Sequence, residues 1–411
     1  MKKKKKSKVI WLINQYGSLP KTGIGGRQRY FARELSMIGH KVYYIASRLN
    51  HLIIDRASEI SAPEIEKFER FYFLRIPSIH YKNSYDKKRI INWFYFAFKL
   101  LSIGKKLKDN PDVIIYSSPS LIGFVSAYIL AKKYNAKLIF DVRDIWPLTF
   151  TEIGGYSKKN PFIMLLQFIE DFAYKKTDHI ISNLKGLNNH LKTRIKNKKN
   201  FTWIPNGFSF TDTDNKVLAD KRILSLIKKQ RFSITYTGTI NLAKSLDTLV
   251  DAADLIKSKR YIHINIVGNG SLLNKLKTRV KKLKLNNIHF FEAVPKNQIQ
   301  SIFKVSDACI KCTKNSDLYK YGTAANKLYE YLYSEKPIIH TYSGNYDPVR
   351  KFKAGITVPA ENPLLLSRAI INLSLMSVKQ RKKMGKNAKQ AVKKYFDYSK
   401  IAHKLNSIIC S

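Results

Sequence analysis

Short apolar runs alternate with helically spaced apolar positions along most of the chain. Residues 8–13 (KVIWLI) form a run of strand length that stops at a polar, glycine-bearing loop, 14–26. From Arg27 to Gly39 the apolar residues Tyr30, Phe31, Leu35 and Ile38 recur at helical spacing, and 41–45 is apolar again. Strand, loop, helix, strand is one βαβ unit. Residues 113–116, 137–141, 179–182 and 203–206 read as further strands of the same half. The period restarts after Gly207, with strands over 233–237, 261–267, 289–291, 308–310 and 337–339 and helices over 246–257, 272–285 and 326–333.

This pattern predicts two α/β halves, near 1–205 and 212–385. The domain organisation expected is 1–207, a polar connector 208–218, a second domain 219–385, and a C-terminal helix over 386–411. In open parallel sheets, ligands bind beyond the carboxyl ends of strands. The loops after Ile13, Asp141, Thr237, Val267 and Ile310 are therefore where chemistry is expected.

Charge changes the picture less than its size suggests. The 411 residues carry 75 Lys and Arg against 29 Asp and Glu, a formal net charge of +46. Residues 1–210 hold 38 basic and 15 acidic residues, and 211–411 hold 37 and 14, so the charge is spread over the whole chain rather than concentrated as in a basic arm or tail. An even excess fits either an anionic partner or the drift of a composition rich in Lys, Ile and Asn. Three cysteines are too few for a disulfide scaffold, no signal-peptide core follows Lys2–Lys6, and no apolar run reaches 18 residues. A cytoplasmic protein is expected.

Four loops carry candidate chemistry. Gly23-Ile24-Gly25-Gly26 opens a helix, where backbone N–H groups and the helix dipole suit a phosphate, although the loop is too long for a dinucleotide fingerprint. Gly238 and Thr239 end a strand, with Lys244 six residues after Gly238, in reach of a diphosphate. Gly268-Asn269-Gly270 is a strand-terminal turn. Gly322-Thr323-Ala324-Ala325 leads into a helix at Asn326, with Lys327 beside its positive end and Glu330 one turn in. A carboxylate there can accept both hydroxyls of a ribose.

Read in order, Gly25-Gly26-Arg27, Ile204-Pro205-Asn206-Gly207, Tyr236-Thr237-Gly238, Ile266 to Gly270, Asp307, Lys327-Leu328-Tyr329-Glu330 and Lys336-Pro337-Ile338 resemble family 4 glycosyltransferases. The stretch Asp141 to Pro147 (DVRDIWP) is similar to the subgroup that builds bacterial O-antigen and capsular polysaccharides, of the N-acetyl-fucosamine transferase type. The resemblance spans about residues 8–375. It implies a GT-B fold, two Rossmann-like domains facing across a cleft, and a retaining transfer from a nucleotide-diphosphate sugar.

By that resemblance Lys244, Lys327, Arg143 and Asp144 are the candidate catalytic residues. Gly238, Thr239, Gly268, Gly270, Gly322, Thr323, Ala324, Ala325, Asn326 and Glu330 would bind the donor, and Gly25, Gly26 and Arg27 would form an acceptor or phosphate loop. No cofactor or metal is expected.

Three departures stand out. The first Glu of the family's E-x7-E pattern falls on Gly322. Thr239 replaces an Arg common after the domain-two glycine. Arg143-Asp144 occupy the region where relatives often place a His.

Several features are read as decoys. Asp212-Thr213-Asp214 lies in the connector, and Cys309 and Cys312 are spaced to face opposite sides of a strand. Residues 90–103 are dense in aromatics and flanked by Lys87, Lys88, Arg89, Lys105, Lys106 and Lys108. They fit a helix lying on an anionic membrane or a buried helix equally well. The expected partners are a nucleotide-sugar donor, a glycan or polyisoprenyl-linked acceptor and the anionic inner face of the cytoplasmic membrane, with no nucleic acid. The alternatives are a GT-B sugar-nucleotide 2-epimerase and a non-enzymatic basic protein binding anions or nucleic acid.

Overall fold

The computed structural model describes residues 7–81, 86–197, 199–213, 217–323 and 326–411. Two compact units emerge, Met1–Asn206 with Tyr398–Ser411, and Gly207–Asp397.

The first unit holds an eight-stranded sheet. Its strands are β1 (Val9–Ile13), β2 (Lys41–Ser47), β3 (Ile65–Phe68), β4 (Phe71–Ile76), β5 (Val113–Ser117), β6 (Lys137–Val142), β7 (His179–Ser182) and β8 (Phe201–Trp203). Their order is β3-β4-β2-β1-β5-β6-β7-β8, parallel except for β3 against β4. The β3–β4 hairpin was not foreseen. The last strand ends at Trp203 rather than Asn206, because Pro205 has no N–H to continue the ladder. β1 is an apolar run and β5 is apolar up to the buried Ser117 at its end, as expected of strands covered on both faces.

The second unit holds six parallel strands: β9 (Phe232–Thr237), β10 (Ile262–Val267), β11 (Ile288–Phe291), β12 (Ala308–Lys311), β13 (Ile338–Thr341) and β14 (Gly355–Val358). Their order is β11-β10-β9-β12-β13-β14. The helices Leu246–Leu255 and Pro363–Leu375 pack on this sheet through Leu249, Ala253, Leu366 and Ile370.

Both sheets reverse strand order beside their first strand, between β1 and β5 and between β9 and β12. These are the switch points at which open α/β sheets leave room for a ligand.

The C-terminal helix expected over 386–411 is two helices. Val378–Tyr395 starts at a Ser377–Gln380 capping box and ends before Asp397. Tyr398–Ile409 then returns to the first unit, where Tyr398 stacks on Tyr30 at 4.4 Å and Ile401, Leu405 and Ile408 enter its core.

Candidate functional site

The carboxyl edge of the second sheet is knitted from its loops. Gly238 donates its N–H to Val267 (2.9 Å), and Ile240 donates to Asn269 (2.9 Å). The approach is too close for any side chain. A Cβ on Gly268 would lie 1.9 Å from the Gly238 carbonyl, and one on Gly270 would lie 2.1 Å from that of Ile240. Gly268 and Gly270 thus hold two loops together, which is what their spacing means structurally.

Helix Asn326–Tyr333 is clamped onto the end of β9. Tyr331 Oη accepts the Thr237 N–H (3.0 Å) and donates to the Thr237 carbonyl (2.9 Å). This fixes Lys327 over the glycine: its Nζ would be 3.2 Å from a Cβ on Gly238. Thr237, Gly238, Thr239, Gly268, Asn269 and Lys327 line a cavity of about 150 Å³.

Burial lowers the proton affinity of Lys327 first. Glu330 opposes that, while Lys244 and Lys296 reinforce it. Burial also lowers that of Lys244. Among the described residues neither ammonium forms an ion pair. Both amines are therefore available to an anion.

Glu330 lies one turn further on. Its Oε1 is 3.6 Å from Lys296 Nζ, and its buried Oε2 has no hydrogen-bond partner among the described residues. Burial raises this carboxyl above its usual range, against the pull of Lys296 and Lys327. A buried, unpartnered carboxylate oxygen costs free energy until a donor such as a hydroxyl reaches it.

Gly322 is buried with φ 111°, Thr323 is half-buried, and Asn326 is the exposed first residue of the helix. Ala324 and Ala325 lie outside the described residues, as does Asp214 of the D-x-D stretch. Asp212 sits in a single short turn, Thr211–Thr213. Among the described residues no group of three or more His, Cys, Asp or Glu side chains could hold a metal ion. Cys309 and Cys312 are both buried, free thiols, and burial pushes each up to about 12.

In the first unit one assignment needs correction. Arg27 is 1% exposed and spends its guanidinium on the protein itself. It pairs with Asp141 (3.2 Å) and donates to the Pro205 carbonyl (2.7 Å) and Asn206 Oδ1 (3.1 Å). It cannot meet a phosphate, because the β6 carboxylate claims it.

Gly25 and Gly26 remain open. Gly26 caps helix Arg27–Ile38 at φ 118° with nothing within 4 Å of a Cβ. Arg143 and Asp144 follow β6, and both backbone N–H groups point at Ser118 Oγ (2.8 and 3.4 Å). Asp144 is exposed, and the buried Arg143 Nε has no hydrogen-bond partner. The four proposed catalytic residues thus divide between the units, Arg143 and Asp144 in the first, Lys244 and Lys327 in the second.

Residues 90–103 divide between the two readings. Helix Lys88–Leu101 buries Asn92, Trp93, Phe96, Ala97 and Leu100. Trp93 is core: its Nε1 donates to Tyr16 Oη (2.5 Å) and its ring stacks on Phe162 at 6.0 Å. The other side leaves Ile91, Phe94 and Phe98 exposed, Phe98 by 69%. No helix of the described residues is long and apolar enough to cross a membrane.

Residues 22–211 match the family model Glycosyltransferase Family 4, and residues 219–391 match Glycosyl transferases group 1. Together these two matches place the chain among the glycosyltransferases. Its two parallel-sheet units are the GT-B fold, and such enzymes act on nucleotide sugars.

Solved structures agree on the fold. Sucrose-phosphate synthase from Thermosynechococcus elongatus has a TM-score of 0.74 at 14% identity, covering 98% of each chain. Anabaena Alr3699/HepE, solved with UDP-glucose, has a TM-score of 0.67 at 13% identity, covering 98% of this glycosyltransferase and 99% of that chain. WaaG, a glycosyltransferase involved in lipopolysaccharide biosynthesis, has a TM-score of 0.66 at 15% identity, covering 98% and 99%. No curated protein matches the sequence.

The family signal was legible in the order of motifs. Tyr331 and its clamp on Thr237 were not, because a tyrosine inside an amphipathic helix reads as ordinary core.

Proposed function

We propose that this glycosyltransferase moves a hexosyl or N-acetylhexosaminyl group, with retention, from a nucleotide-diphosphate sugar to a glycan acceptor on a polyisoprenyl lipid, in bacterial surface polysaccharide synthesis of the O-antigen or capsule kind. The observation that carries the donor side is the placement of Lys327 over Gly238 with the unpartnered Glu330 oxygen one turn along. Lys244, Lys327 and the backbone of the Gly238 loop would stabilise the diphosphate as negative charge develops on it. Glu330 would take the ribose hydroxyls. Arg143, Asp144 and the Gly25-Gly26 loop would serve the acceptor.

The leaving phosphate itself can take the acceptor proton, so the reading needs neither a dedicated base nor a metal. Relatives of the same fold solved with UDP-glucose or linked by name to lipopolysaccharide support the donor class and the surface-glycan role. The test is binding and turnover across UDP-, GDP- and ADP-sugars with membrane extract as acceptor source, in excess chelator. Turnover that survives the chelator is expected. Loss restored by Mg²⁺ or Mn²⁺ would overturn the metal-independent reading, and no binding of any nucleotide sugar would overturn the donor site.

A lipid-borne acceptor requires docking on a bilayer, and the first unit carries a suitable face. Helix Ile122–Lys133 packs against both Lys88–Leu101 and Pro161–Lys176. The latter exposes Met164, Leu165 and Phe168, as the former exposes Phe94 and Phe98. Lys87, Lys88, Lys105, Lys108, Lys158 and Lys159 lie exposed near their ends. Each can add about 1 kcal/mol on anionic lipid. Sedimentation with anionic but not neutral vesicles is expected, weakened when Phe94, Phe98 and Phe168 become Ser. Equal binding to both vesicle types would remove the charge argument.

A further inference from the structure

One buried group at this edge has no part in the reading above. Lys311 is the last residue of β12, at the switch point beside β9. It is 6% exposed. Its Nζ lies 3.2 Å from His340 Nε2 on the neighbouring strand β13. His340 Nδ1 lies 2.9 Å from Asp347 Oδ1, and Asp347 Oδ2 accepts from Thr357 Oγ1 (2.5 Å). Asp347 also accepts the Val349 N–H at 2.9 Å.

Burial opposes ionisation of Asp347, but the bonds from His340, Thr357 and Val349 outweigh it and hold the carboxyl down to about 2. A carboxylate there only accepts, so His340 carries its proton on Nδ1 and turns a lone pair on Nε2 toward the lysine. Lys311 therefore has an acceptor whether it is neutral or charged.

Among the described residues it has no counter-charge in contact. The surrounding groups are His340 and, behind it, Asp347 and Arg350, with Cys312 on its own strand's exit and Lys244 in the loop after β9. That loop is tied to the exit of β12 by Lys314 N–H to the Ala243 carbonyl at 3.2 Å. Burial and then the Lys244 charge lower the amine's proton affinity to about 7, with Cys312 and Asp347 opposing. Lys244 acts on both Lys311 and Lys327. An anion that neutralises Lys244 and Lys327 therefore removes a repulsion from Lys311 and adds an attraction.

We propose that Lys311 is a proton-accepting residue behind the donor site, its amine taking a proton from solution when a nucleotide sugar occupies Lys244 and Lys327 and returning it when the nucleotide leaves. The step is one amine plus one proton giving one ammonium, drawn from and returned to solvent. It places a third positive charge behind the diphosphate only while the diphosphate is there, and spares the empty site a buried cation. Lys311 is on this account a positioning residue. The inference rests on the donor reading above.

Calorimetric titration in two buffers of different ionisation heat tests it, because the heat difference counts protons bound. The probe is UDP-glucose, followed by UDP-N-acetylglucosamine, GDP-mannose and ADP-glucose. Their doubly esterified diphosphates have no proton to exchange near neutrality. Roughly half a proton per nucleotide is expected at pH 7, rising toward one at pH 8, with affinity falling roughly fivefold over that step. Lys311→Met should still bind but lose both the uptake and the pH step.

Binding by the wild-type protein without proton uptake overturns the inference, whatever the variant does. Unchanged uptake in Lys311→Met overturns it too. Failure of all four nucleotide sugars to bind overturns the donor reading, and this inference with it.

Discussion

Basic residues at the two switch points have opposite fates. In the first unit Arg27 begins the helix after β1 and is wholly absorbed by Asp141, Pro205 and Asn206, with Phe31 under its guanidinium at 4.6 Å. In the second unit Lys327 lies in the first turn of the helix that closes on β9, and Lys311 ends β12. Among the described residues neither forms an ion pair with a carboxylate. A basic residue after a glycine loop is therefore not a phosphate ligand by virtue of its place in the sequence. A cation whose charge is cancelled inside the protein is structural; one held without a counter-charge is poised for a ligand.

The largest expected effect separates the two directly. Arg27→Met strands the Asp141 carboxylate in the core and should cost about 3–5 kcal/mol of stability, read from denaturant midpoints. Lys327→Met should leave the midpoint nearly unmoved and weaken nucleotide-sugar binding instead. Equal destabilisation by both would erase the distinction.

Next comes Glu330→Gln. Losing a charge-assisted bond to a hydroxyl should cost about 1.5–3 kcal/mol of donor affinity while the fold persists. Unchanged affinity would remove Glu330 from the site.

A subtler effect concerns pH. The folded amine of Lys311 loses its proton near 7, and an unfolded lysine holds it to about 10.4. Between those values the unfolded chain binds more protons, so this residue's contribution to stability rises with pH. Its full penalty is present below about pH 7. The denaturant midpoint of the wild-type protein, compared with that of Lys311→Met, should improve from pH 6.5 to 9. A constant gap would show that the charge is not hidden.

The smallest change is expected for Phe98→Ser. It lies on an exposed face, so stability should move by no more than about 0.5 kcal/mol in solution, while Trp93→Ser should unfold or deeply destabilise the first unit. A large loss from Phe98→Ser would mean that its face is covered.

Most strands were legible as short stretches rich in Ile, Val and aromatic residues: 9–13 is an unbroken apolar run, while 233–237 and 262–267 interleave apolar residues with Ser, Thr, His or Asn. The β3–β4 hairpin escaped because β3 alternates exposed and half-buried positions over only four residues. In the candidate site, Lys244, Lys327 and Glu330 stood out as polar residues at the right loops, whereas Lys311 was hidden inside an apolar run, where it read simply as part of a strand.

The order of glycine turns, strand ends and the Lys327–Glu330 pair determined by itself the resemblance to glycosyltransferases and the two-sheet architecture, since both depend on local spacing. It could not determine which charges are free. Arg27 meets Asp141 across 114 positions of sequence, and Lys311 meets His340 only because β12 and β13 are neighbours in register. Tyr398–Ile409 rejoins the first unit for the same reason: its apolar stripe finds a surface made by residues hundreds of positions earlier. Whether a buried charge has a partner is a property of distance in space, and only the tertiary structure decided it.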